Sequence, residues 1–199
     1  KHTLLNYSFN NDLFSKANSR HMKSASAILL LFVDGLGMGS RDPAVNPVYS
    51  GHSPSLVKLL EQSKPIDASL GVPGLPQSAT GQTALLTGVN AAKVMGRHIE
   101  GFPGPTLRKI IEEKNIFRQL TEARRTSAFA NAYFTNDIQS IKERSIKSVT
   151  TVATLSAFGT VRGLDMLESG KAVYQDITRE YLISQGYKGC IITPEEAAD

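Results

Sequence analysis

Tryptophan is absent from the 199-residue chain, and cysteine occurs once, at Cys190. A lone thiol excludes an internal disulfide framework, which favours a reducing, cytoplasmic setting and reads Cys190 as a small buried hydrophobe. Long apolar runs are missing too. The longest, Ala27 to Val33, falls well short of the roughly 20 residues that span a bilayer. The acidic Asp34 and the Gly35-Leu36-Gly37 turn that follow are unlike a signal-peptide cleavage site, so no membrane partner is expected. The formal charge is +4, carried by basic residues without the aromatic interleaving or motif of a nucleic-acid binder. A small phosphorylated molecule suits them, and nucleic acid is not expected. There is no internal repeat, and nothing in the sequence sets the oligomeric state.

What is present is ordinary globular composition, 41% hydrophobic and 20% charged, enough for one sizeable α/β domain or an incomplete larger one. Residues 1–21 are rich in Asn, Ser and Lys and end at His21-Met22, the dipeptide an expression-vector junction often encodes. They read as a tag or non-native leader and are set aside. From residue 22 onward the pattern alternates. Ala27 to Val33 is predicted as a central parallel strand buried on both faces. Ser53-Pro54 opens a short amphipathic helix, Ile66 to Leu70 reads as a second strand, and a helix begins near Ala79. Helices are predicted over Thr106 to Glu113, Ile116 to Ala123, Val149 to Phe158, Thr178 to Ser184 and Pro194 to Ala197, and strands over Ser127 to Phe134 and Gly189 to Ile192. The alternation implies a doubly wound, mostly parallel sheet with helices on both faces. Residues from about 136 to 176 are less regular and read as a small inserted cap.

Two residues carry the chemistry. Asp34 follows a predicted strand directly, at the carboxyl edge where α/β sheets gather ligands, and a hard divalent cation takes such an oxygen. A strand-ending Asp also serves as a ribose binder or helix cap. Ser78 follows a Gly/Pro-rich loop and heads a helix, whose free N–H groups and dipole attract phosphate oxygens; serine at that place is also a common N-cap. Asp34 and Ser78 on one shared metal would lower the hydroxyl's pKa and make it a nucleophile.

Phe32-Val33-Asp34-Gly35-Leu36-Gly37, followed by Ser78-x-x-x-x-x-x-Leu85-x-Thr87-Gly88, resembles the N-terminal signature of the alkaline phosphatase superfamily. The spacing is similar to that of its nucleotide pyrophosphatase/phosphodiesterase branch. Ser78-x-x-Gly81-Gln82 resembles cofactor-independent phosphoglycerate mutase and phosphopentomutase, in which the position of Gln82 is normally histidine. Gly96-Arg97-His98-Ile99-Glu100-Gly101-Phe102-Pro103 is similar to a mutase-like group of predicted metalloenzymes. The resemblance implies an alkaline-phosphatase-like domain and phosphoryl transfer of phosphomutase or phosphatase type through a Ser78 phosphoenzyme. It also implies two divalent ions (Mn, Zn or Mg), with Asp34 and Ser78 among the ligands. Gln82, His98, Arg144 and Arg162 are candidate substrate-binding residues, the arginines because a guanidinium matches phosphate oxygens in pairs. The superfamily's C-terminal Asp-x-x-x-His motif does not occur, so residues 22–199 read as the N-terminal portion of such a domain with an incomplete second metal site. The alternatives are a phosphodiesterase- or sulfatase-like hydrolase and a truncated, non-catalytic module that binds phosphorylated ligands.

Overall fold

The structure is a computed structural model and describes residues 5–7 and 27–198; the expected leader lies outside these residues except for Leu5–Tyr7. The chain divides into two compact units, Lys1–Pro76 and Gln77–Asp199.

In the first unit, strand β1 (Leu5–Tyr7) pairs antiparallel with β2 (Leu29–Leu31). A single-turn 3-10 helix (Pro47–Tyr49) and helix α1 (Pro54–Gln62) follow. Ser53 and Pro54 start α1 as expected, because proline's fixed φ suits the first helical position. Leu60, Ala68 and Val72 are buried, and an exposed ion pair joins Arg41 to Glu61 at 3.1 Å.

The second unit is helical. It comprises α2 (Ser78–Thr87), α3 (Ala91–Met95), α4 (Pro105–Lys114), α5 (Ile116–Glu122), α6 (Ile138–Glu143), α7 (Val149–Phe158), α8 (Leu164–Glu168), α9 (Glu180–Ser184) and α10 (Pro194–Ala198). One core joins Leu86 of α2, Ile111 of α4 and Val149, Val152 and Ala153 of α7, with Phe117 of α5 against it. This places the middle of the 136–176 stretch in the core of the unit. A second cluster gathers Ala132, Leu167, Ala172, Leu182 and Tyr187. A third gathers Ala79, Ala91 and Leu107.

The doubly wound parallel sheet is not what forms. Among the described residues the extended structure is the β1–β2 pair and two isolated parallel bridges, Asn131 with Val173 and Ala132 with Arg162. The physical reason is that a strand is completed by a non-local partner, whereas helix signals are satisfied within the segment. Ala27 to Val33 forms only a three-residue strand, and apart from half-buried Phe32 its side chains are exposed, Ile28 at 85% and Leu29 at 63%. At 66–70 the Asp67 carboxylate takes the Ser69 N–H at 2.9 Å and the Ser69 hydroxyl at 2.6 Å, closing a turn instead of a strand. Residues 127–134 run extended between two neighbours without forming a regular strand: Ala132 N–H donates to Val173 O at 2.8 Å and Tyr133 N–H to Arg162 O at 2.9 Å. Residues 189–192 form neither helix nor strand, and Cys190 is exposed, not buried.

Helix ends follow local chemistry closely. Asn115, fully buried, terminates α4 and caps α5: its Oδ1 accepts from Arg118 N–H at 3.0 Å while its Nδ2 donates to Ile111 O at 2.7 Å and Ser156 Oγ at 3.0 Å. Asn115→Ala removes the cap and strands the Ser156 contact, so a loss of about 2 kcal/mol is expected in urea unfolding. A change within a few tenths would mean that water replaces the network at no cost.

Candidate functional site

Ten residues, Ser-Ala-Thr-Gly-Gln-Thr-Ala-Leu-Leu-Thr, most of them small, build α2. Its buried threonines keep their hydroxyls satisfied by bonding back one turn, Thr83 to Ala79 O at 2.6 Å and Thr87 to Thr83 O at 2.7 Å. That lets a helix of weak amphipathicity sit in the interior. Gly88, at φ 71°, ends it in the left-handed conformation that favours glycine.

The N-cap of α2 is Gln77, extended at φ −126° and ψ 154°, and its side chain makes no capping bond. Ser78 is therefore the first helical residue, and capping does not account for it. It is half-buried. Gln82 lies four residues on, also half-buried, and so shares its helix face.

A two-way clasp ties residue 99 to the same turn. Ala79 N–H donates to Ile99 O at 3.1 Å, and Ile99 N–H donates to Thr80 Oγ1 at 3.2 Å. His98, half-buried, is thereby carried to the head of α2. The clasp also occupies the Ala79 amide, one of the donors an anion at this helix end would use. Ser78 and Gln82 thus share a face of α2, and the backbone next to His98 is tied to the first turn of that helix.

The other expected residues belong to other elements. Asp34 belongs to the first unit, where it is exposed in a turn beyond β2, beside Gly35 at φ 77°. Arg144 is exposed at the end of α6, and its carbonyl accepts from Lys147 Nζ. Arg162 donates a guanidinium N–H to the Lys171 carbonyl and lines a cavity with the 127–129 segment and α7. Arg108 fastens two loops through Pro103 O at 3.0 Å and Ser145 O at 2.5 Å. Nothing local marks that role, since Ser145 is distant in sequence. Burial pushes the Tyr174 phenol up, with Tyr181 and Asp176 adding to the shift, so it stays protonated at neutral pH.

Among the described residues no group of three or more His, Cys, Asp or Glu side chains comes together as a metal would require. The residues described do not fit a complete two-metal centre. No protein-family model matches the chain, and no curated protein or solved structure matches it significantly.

Proposed function

We propose that the chain carries the nucleophile-bearing part of a site for metal-dependent phosphoryl transfer, of phosphomutase or phosphatase type, acting on a small phosphate ester. Ser78 Oγ would bond to phosphorus as the ester P–O bond breaks, giving a phosphoserine that is passed to water or back to substrate. Gln82, one turn along, and His98, held by the Ile99 clasp, would orient the ester. The observation that supports this reading is the placement of Ser78 as the first residue of α2, with the capping position taken by Gln77. The resemblance of the Asp34 and Ser78 motifs to the alkaline phosphatase superfamily supports it as well.

A serine hydroxyl is a weak nucleophile at neutral pH, and divalent cations supply its activation in two-metal sites. The described residues assemble no such donor group. That favours a second reading, in which the chain alone binds phosphorylated ligands without turning them over. Dialysed protein separates the two. The catalytic reading expects close to two equivalents of retained metal, together with hydrolysis of an aryl phosphate monoester on adding Mn, Zn or Mg. Near-zero metal and no turnover, with binding of inorganic phosphate intact, supports the module. Faster hydrolysis of a diester or a sulfate ester would redirect the assignment to a phosphodiesterase- or sulfatase-like hydrolase.

A further inference from the structure

A cavity of about 460 Å³ opens in the second unit between the 127–129 segment, the C-terminal half of α7 and the 160–166 segment that leads into α8. Its volume falls in the range of small-molecule sites, about 300–1,000 Å³. None of its lining residues belongs to α2, so it is not formed by the side chains assigned to phosphoryl transfer.

Its floor is aromatic. Phe129 and Phe158 both line it, and both rest on Phe117, with ring centroids 6.3 Å and 5.5 Å away. Phe117 in turn packs on the main core, so the floor is held from behind. Met166 adds a deformable apolar wall.

The polar groups are of both signs. Arg162 spends one guanidinium N–H on the Lys171 carbonyl, and a fork of five donors has others to offer. Asp165 lines the same cavity, and no cation pairs with its carboxylate among the described residues. Its backbone N–H donates to Asn136 Oδ1 at 2.8 Å, which sets the position of the residue. Between the two charges sits Gly163. A Cβ there would fall 2.8 Å from both Asn136 Oδ1 and Thr135 O, so only glycine lets this loop close on the 135–136 segment. The backbone that carries both residues is therefore held at this point. Finally, Ser127 Oγ is buried and has no hydrogen-bond partner among the described residues. A buried hydroxyl left unpaired is costly, and a bound polar group would satisfy it.

We propose that this cavity binds a small zwitterion with an apolar side chain, of the α-amino-acid kind. The ligand carboxylate meets Arg162, whose planar fork matches it, and the ammonium meets Asp165. The side chain lies on Phe129 and Phe158. A phosphate would satisfy Arg162 but would set like charge beside Asp165. A neutral apolar molecule would leave Arg162, Asp165 and Ser127 unanswered.

Calorimetric titration of the full chain tests this with L-phenylalanine, phenylacetate, phenethylamine and adenine. L-phenylalanine is expected to bind at least tenfold more tightly than phenylacetate, which lacks the ammonium, or phenethylamine, which lacks the carboxylate. Asp165→Asn should bring L-phenylalanine and phenylacetate to similar affinity. Ser127→Ala should weaken L-phenylalanine binding while leaving the melting temperature of the free protein unchanged or higher, because it removes an unsatisfied hydroxyl. No binding of L-phenylalanine at millimolar concentration, equal binding of phenylacetate by the parent chain, or tighter binding of adenine would overturn the assignment.

Discussion

Ser78→Ala is expected to leave α2 folded and to reduce phosphoryl transfer about a thousandfold or more, since loss of a covalent nucleophile leaves only binding and electrostatic contributions. The prediction has two parts. Ser78 is not the capping residue of its helix, and alanine is the better helix former, so the helix should persist, and the melting temperature is measured beside the activity. An activity loss without a stability loss is then chemical in origin. Phosphate release from an aryl monoester measures the first part, and loss of acid-stable phosphoserine at position 78 measures it independently. Turnover that survives in the variant, with its label at another residue, would remove Ser78 from the role.

Ile111→Ala should produce the largest stability loss. Ile111 is fully buried at the meeting of α2, α4 and α7, against Leu86, Val149, Val152 and Ala153. Truncating it removes transfer free energy and leaves a cavity that close-packed helices only partly close, at about 3–4 kcal/mol. Guanidinium unfolding should show a lower midpoint with an unchanged slope. A loss below about 1 kcal/mol would mean that the site collapses freely and that this core is loosely packed. Leu86 of the same cluster belongs to the helix that bears Ser78.

The helices were the legible part of this chain because their signals are local. Proline at position 54 and the Asn115 cap mark helix boundaries within a residue or two of where they fall. Val149 to Phe158 was read without error, with Ser148 accepting from Thr151 N–H at one end and Gly159 at φ 68° at the other. The short helices α3, α6 and α8 were missed, although Asn90 and Asp137 cap the first two through Lys93 and Ser140 N–H groups. Their apolar faces are too brief to produce a period. The strands failed for a different reason. Ala27 to Val33 has the apolar composition of a buried strand, but burial requires neighbours on both edges and both faces, and the described residues supply one antiparallel partner.

What the residues determined unaided is the ends of the longer helices and the seating of Ser78 on the first turn of α2 with Gln82 on the same face. Caps, glycines at positive φ and prolines act within four residues and need no help from the rest of the chain. Tertiary structure alone decided that Ile99 clasps Ala79 and Thr80, and that Arg162 holds the Lys171 carbonyl. It also set a buried serine, an arginine and an aspartate around one aromatic-floored cavity. Those contacts join segments nine to some forty residues apart in the chain, beyond the reach of signals that act within one helical turn.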